Sequence, residues 1–248
     1  MAEIVYGIHA VRAVLENDAK NIDEALVQAQ IKNDQIQELV KKLAQQNIRV
    51  RNLPRKELDE LCKGNHQGII VRYQVAKTLN ENDLAGLLEG LDEPPFVLIL
   101  DNIQDPHNLG ACLRTANAAG VHAVIAPKNK SVGITSTVRK VACGAAEITP
   151  FVQVTNLART LEWLQAQGIW ISGTDASADK SIFEGDYKGA VGIVIGSEGG
   201  GLRRLSREAC DFLVNIPMVG QVESLNASVA AAICLYEVRR QRGIPASS

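Results

Sequence analysis

Four apolar runs constrain any fold open to this chain: "FVLIL" (96–100), "HAVIA" (122–126), "VGIVIG" (191–196) and "FLVNIP" (212–217). A strand with one face in water alternates apolar and polar residues. A strand apolar throughout is covered on both faces, as in a parallel sheet between layers of helices. Strands are expected at 96–101, 121–126, 169–173, 190–196 and 212–217, with helices near 109–119, 134–143, 156–167, 201–209 and 225–240. Strand followed by helix, repeated, is the α/β pattern.

Residues 1–75 read as a separate, smaller α/β domain. "DQIQELVKKLAQQN" places Ile36, Leu39, Val40 and Leu43 at helical spacing, "NIRVRNL" and "GIIVRYQV" are rich in β-branched residues, and "RKELDELCKG" is a short helix stopped by Gly64. Residues 76–93 hold one base and five acids and run into Pro94 and Pro95, which reads as an acidic, partly helical connector. The region 94–248 carries the four apolar runs.

The formal net charge of −2 over 248 residues excludes a chain that binds polyanions by bulk charge, so basic residues must be judged by their clustering. Arg49, Arg51, Arg55 and Lys56 form one cluster, Lys128, Lys130, Arg139 and Lys140 a second, and Arg203, Arg204 and Arg207 a third. Each fits either a solvated surface or phosphate contacts. Five widely spaced cysteines without C-x-x-C predict reduced thiols, with neither a zinc site nor a disulfide framework. The start "MAEIVYGIHA" lacks a basic leader with an apolar core, and no run approaches the roughly 20 apolar residues of a membrane span. A cytoplasmic protein without membrane contact or bound metal is expected.

Ligands of open α/β sheets gather beyond the carboxyl ends of the strands, and three such ends here are unusual. In "FVLILDNIQDPHNLGACLRTANAAG", Asn108 stands where a helix cap belongs. Leu109, Leu113, Ala116 and Gly120 fall on a core stripe, and Gly110, Arg114 and Asn117 on its neighbour. Asn108 as a plain cap and Arg114 as a member of a surface ion pair remain open alternatives. In "GIVIGSEGGGLRRL", Gly196 and Gly201 have Walker spacing, but Leu202-Arg203 replace Lys-Ser/Thr, and the dinucleotide pattern G-x-G-x-x-G also fails. Glu198 in that loop would repel phosphate and suits a cationic or hydroxyl-bearing ligand. In "FLVNIPMVGQVESLNASVAAAICLYEVRRQ", a strand ends near Ile216, and a helix capped by Ser224 carries Asn226 in its first turn. Its residues Leu225, Val229, Ala232, Ile233 and Tyr236 form a face for the core or for a partner.

Together these segments resemble the three motifs of the SpoU (TrmH-type) RNA ribose methyltransferases of the SPOUT superfamily: "NLGACLRTA", "GSEGGGL" and "IPMVGQVESLNASVA", in the family's order. "YGIHAV" and "HQGI" are similar to the flanks of a small L30e-like RNA-binding domain. Ala227 stands where the family commonly has valine. The resemblance implies a knotted α/β catalytic domain and S-adenosylmethionine as methyl donor, held at Gly196, Ile216 and Leu225. It implies a homodimer through the last helix. The acceptor would be a guanosine ribose of 23S ribosomal RNA in the peptidyl-transferase-centre loop.

The family names Arg114 as the base. A guanidinium is effectively never deprotonated, so Arg114 is expected instead to hold the substrate phosphate. Asn108 and Glu198 would orient Arg114 and the ribose, and Ser224 and Asn226 would complete the polar shell. Arg49, Arg51, Arg55 and Lys56 are the expected RNA contacts. A methyltransferase acting on transfer RNA, a non-catalytic RNA-binding protein and a dehydrogenase are the competing classes. The missing dinucleotide fingerprint weighs against the last.

Overall fold

The computed structural model describes residues 2–17, 19–74, 79–222 and 224–243. They divide into two compact units. The first takes in the described residues up to 74 together with Ile134–Ile148, and the second the remainder.

The first unit runs β1 (Ala2–Tyr6), α1 (Ile8–Asn17), β2 (Ile22–Gln28), α2 (Asp34–Gln45), β3 (Arg49–Leu53), α3 (Arg55–Leu61) and β4 (Ile69–Gln74). Its four strands form a mixed sheet in the order β1-β4-β2-β3, in which only β2 and β3 are parallel. Strand period two sorts the side chains between faces. Ala25, Val27, Ile69, Val71 and Tyr73 join the core under α1 and α2, whereas Leu26 and Ile70 turn the other way onto Leu58 and Cys62. The helix expected from Ile36, Leu39 and Leu43 forms with all three buried, capped by the Asn33 side chain. The elements β1, α1 and β2 were not foreseen.

The second unit opens with β5 (Leu79–Asn80) and α4 (Leu84–Leu88). Of the expected connector, residues 76–78 lie outside the described residues. From Leu79 the chain is packed: β5 is the edge strand beside the later β8 (Phe151–Val154), and Leu84 is buried in the core. Next come β6 (Phe96–Leu100), α5 (Pro106–Ala118) and β7 (Ala123–Pro127). The chain then contributes α6 (Ser136–Ala142) and α7 (Ala145–Ile148) to the first unit. There Arg139 lies over the Tyr73 ring and pairs with buried Glu147 at 2.6 Å. After β8 follow α8 (Leu157–Ala166), β9 (Trp170–Thr174), β10 (Val191–Ile195), α9 (Arg204–Glu208), β11 (Phe212–Val214) and α10 (Ala227–Arg242).

The seven strands of this unit are all parallel, in the order β11-β9-β10-β6-β7-β8-β5. The runs in β6, β7 and β10 are buried at every position, as their composition requires. β8, with Gln153 in a four-residue strand, carries too weak a signal to have been expected. β11 stops at Val214, three residues short of expectation, so Ile216 lies in the following loop.

α10 is fastened at its base. Arg239 donates to the carbonyls of Ala119 (2.8 Å) and Gly120 (3.2 Å), satisfying acceptors that the end of α5 leaves open. Arg242 donates to the Pro94 carbonyl at 2.8 Å and lies over the Phe96 ring.

Candidate active site

β6 is where the strand order reverses. β7 and β8 extend to one side of it, and β10, β9 and β11 to the other. A crevice beyond the carboxyl ends of the strands forms at such a point. The chain leaving β6 makes a turn in which Asp105 accepts the amide of His107 at 3.0 Å, so Asp105 caps α5 and Pro106 occupies its first turn. The expected cap, Asn108, is therefore inside the helix. Proline's preset φ favours a start three residues earlier than the apolar periodicity suggests. Asn108 is buried, and its amide is released for tertiary contacts. Of the expected apolar stripe, Leu109, Leu113 and Ala116 are buried on α5, whereas Gly120 lies past the end of the helix and is exposed.

The start of α10 also differs from expectation. Asn226, not Ser224, is the cap, accepting Ser228 N at 2.9 Å and Ser228 Oγ at 2.6 Å through its side-chain oxygen. Its Nδ2 is then directed at Asn108 Oδ1 (2.9 Å) and at Glu198 Oε1. Asn108 Nδ2 donates to the same Glu198 oxygen at 2.8 Å, and the amide of Ala227 approaches it at 3.3 Å. Residues from all three motifs thus close into one ring of hydrogen bonds, with Glu198 as the common acceptor. Charge-assisted bonds of this kind are roughly twice as strong as neutral ones.

Beside this ring is a cavity of about 370 Å³, lined by Gly196, Ser197, Glu198, Ile216, Ser224 and Leu225 among others. The expected cofactor residues Gly196, Ile216 and Leu225 thus share one cavity, and Ser224 joins them. Gly196 admits no side chain, because a Cβ there would run into the backbone of Gly201 and Leu202. The loop is clasped by reciprocal bonds between Ser197 and Gly201 at 3.1 and 3.0 Å. Backbone walls, apolar side chains and the two carboxylates of Asp175 and Glu198 suit a ligand with an adenosine-like body and a positive centre. The volume lies within the range of small-molecule sites.

Two lining residues escaped sequence reading. Thr174 and Asp175 sit at the end of β9, and the only available signal was a carboxylate directly after an apolar strand. The Asp175 pKa is held below the usual aspartate range, first by the Ser177 hydroxyl bond and then by the Ser177 amide and Arg207, against the opposing effect of burial.

Arg114 is solvent-exposed on α5, one turn past Gly110. In the first unit, Arg49 and Arg51 stand on the edge strand β3 and Arg55 and Lys56 at the start of α3, all exposed. Arg51 reaches Glu24 at 3.6 Å and Arg55 reaches Asp59 at 3.8 Å. Glu24 is buried and also holds Arg72 at 3.0 Å, whereas Arg55–Asp59 is an exposed pair of the kind that contributes little. Among the described residues, no helix is long and apolar enough to cross a membrane.

Residues 95–236 match the model of the SpoU rRNA methylase family, and residues 4–77 match that of the RNA 2′-O ribose methyltransferase substrate-binding domain. The 23S rRNA (guanosine-2′-O-)-methyltransferase RlmB of Coxiella burnetii is 53% identical over 244 residues, covering 98% of each chain. The Escherichia coli K12 protein of the same name is 49% identical, covering 98% of this chain and 100% of its own. The SpoU methyltransferase AviRb from Streptomyces viridochromogenes, solved with AdoMet, superposes with a TM-score of 0.81 at 23% identity, covering 97% of this chain and 90% of its own. With its motif residues joined in one ring beside a glycine-walled cavity, and with full-length relatives at this level of identity, the chain belongs to the SpoU rRNA methylase family.

Proposed function

We propose that this protein transfers a methyl group from S-adenosylmethionine to the ribose 2′-oxygen of a guanosine in 23S ribosomal RNA, in the peptidyl-transferase-centre loop. The observation that carries this is the meeting of Asn108, Glu198 and Asn226 beside the cavity that Gly196, Ile216 and Leu225 line. Those three cavity residues would hold the donor, which when bound supplies an electrophilic methyl group on a sulfonium. Glu198, fixed through Oε1, offers negative charge to that positive centre.

On the acceptor side, Arg114 binds the nucleotide's phosphate and stabilises negative charge developing on the 2′-oxygen. Asn108 and Asn226 fix the first turns of α5 and α10 relative to the glycine loop, so catalysis is mostly positioning. Arg114 stays protonated throughout, and the hydroxyl proton leaves to the substrate's phosphate or to water. The first unit captures RNA through Arg49, Arg51, Arg55 and Lys56, favouring a loop from which a nucleotide can be splayed out. The enzyme works in the cytoplasm on free RNA or an assembling subunit. The chain near α10 is threaded as a knot, and a second copy covers the exposed Leu205, Val229 and Tyr236.

Labelled methyl transfer to total RNA from cells lacking the enzyme, followed by mapping, tests this. Label at a single guanosine of 23S RNA is expected. Label in transfer RNA, or none at all, overturns it.

A further inference from the structure

One buried charge has no part in the ring or the cavity wall. Asp101 directly follows β6 and is fully buried. Its backbone N donates to the Ile195 carbonyl at 2.8 Å, where β10 ends. Its carboxylate accepts the backbone N of Arg203 at 2.9 Å and the Arg203 guanidinium Nε at 2.5 Å. Residues 196–202 are therefore closed at both ends by one aspartate. Within that span lie Gly196, the Ser197–Gly201 clasp and Glu198.

A buried carboxylate is costly unless charge and hydrogen bonds compensate it. Here the compensating partner comes from the far side of the glycine loop, so the charge is balanced only while the loop is shut. The carboxylate also precedes Asn102, whose φ of 66° turns the chain toward α5 and Asn108. Asp101 therefore joins the loop that would hold the donor to the segment that would hold the acceptor.

We propose that Asp101, through Arg203, is a positioning residue for S-adenosylmethionine. It locks the mouth of loop 196–202, so that the backbone at Gly196 and the Glu198 carboxylate keep their places without the ligand having to order them. Preorganisation of this kind appears as affinity. This rests on the reading that loop 196–202 holds the donor.

The test is calorimetric titration of the full-length protein with S-adenosylmethionine, together with steady-state kinetics and thermal melts, for Asp101→Asn, Arg203→Gln and the double variant. Losing a charged hydrogen bond to the clamp should weaken donor binding about tenfold. KM for the donor should rise in step, while kcat at saturating donor and KM for RNA stay near wild type. Because the two side chains act as one unit, the double variant should bind no worse than the weaker single variant. A folded Arg203→Gln variant with wild-type donor affinity overturns the proposal, as does a melting-temperature loss without an affinity change. The Arg203 side chain is 39% exposed, so that variant decides the question even if Asp101→Asn fails to fold. Gly196→Ala separates the two levels. If it binds the donor normally, the loop is not the donor site and the underlying reading falls. If it loses binding while Arg203→Gln does not, only the clamp is refuted.

Discussion

In the first unit, the residues proposed to contact RNA are long, exposed cations on an edge strand and the helix after it, two of them paired with carboxylates of their own unit at 3.6 and 3.8 Å. In the second, they are two short amides and a glutamate, drawn from segments far apart in the chain and locked together at 2.8–2.9 Å beside a glycine-rich loop. The first arrangement tolerates displacement, because a lysine on a surface finds a phosphate over several ångströms and screening blurs the geometry. The second does not, because methyl transfer needs two reactants in line. The difference teaches where substitution should be graded and where it should be abrupt.

The largest effect is expected at Arg114. Arg114→Ala should lower single-turnover methylation by about a thousandfold or more, the scale of lost transition-state electrostatics, with donor affinity unchanged by calorimetry. Near-normal turnover would remove Arg114 from the mechanism. Asn226→Ala comes next. It breaks the ring and removes a helix cap worth about 1 kcal/mol, so kcat should fall roughly a hundredfold and the melting temperature should drop slightly. If stability falls but kcat does not, the ring is only a fastening.

Smaller and graded effects belong to the first unit. Arg49→Ala with Lys56→Ala should weaken RNA binding several-fold and reduce the slope of log affinity against log salt by about 1–2, leaving donor binding intact. An unchanged salt slope would separate this surface from the RNA. Deleting residues 1–75 is a poorer test, because Ile134–Ile148 belong to the same unit and would lose their packing.

The smallest effect concerns pH. Burial depresses the His122 pKa below its ordinary 6.5, and the neutral ring accepts the Phe96 amide at 2.9 Å through Nδ1. A depressed histidine gives stability that is full above the unfolded value and lost as pH falls through the folded one. The melting temperature should therefore decline on acidification below about pH 6.5, and His122→Gln should flatten that decline.

The apolar runs announced a parallel sheet because a strand buried on both faces cannot hide its composition, and the three motifs contained the residues that meet in the hydrogen-bonded ring. Both helix caps at the site were misread by two or three residues. Asp105 and Asn226 compete with Asn108 and Ser224 for the same role, and only the backbone path selects between them. β8 and β5 were too short to register by pattern. Asp101 was legible only as a polar residue after a strand.

What the sequence by itself determined is therefore local and compositional: which strands are buried, which loops are rich in glycine, and which polar residues are spent beside them. That Asn108 and Glu198, 90 residues apart, meet Asn226, 118 residues beyond Asn108, was decided by tertiary structure alone. So was the closing of the glycine loop by Asp101 and Arg203, 102 residues apart. Hydrogen bonds between distant residues leave no periodicity along the chain. Their geometry is set by the order in which parallel strands lie side by side.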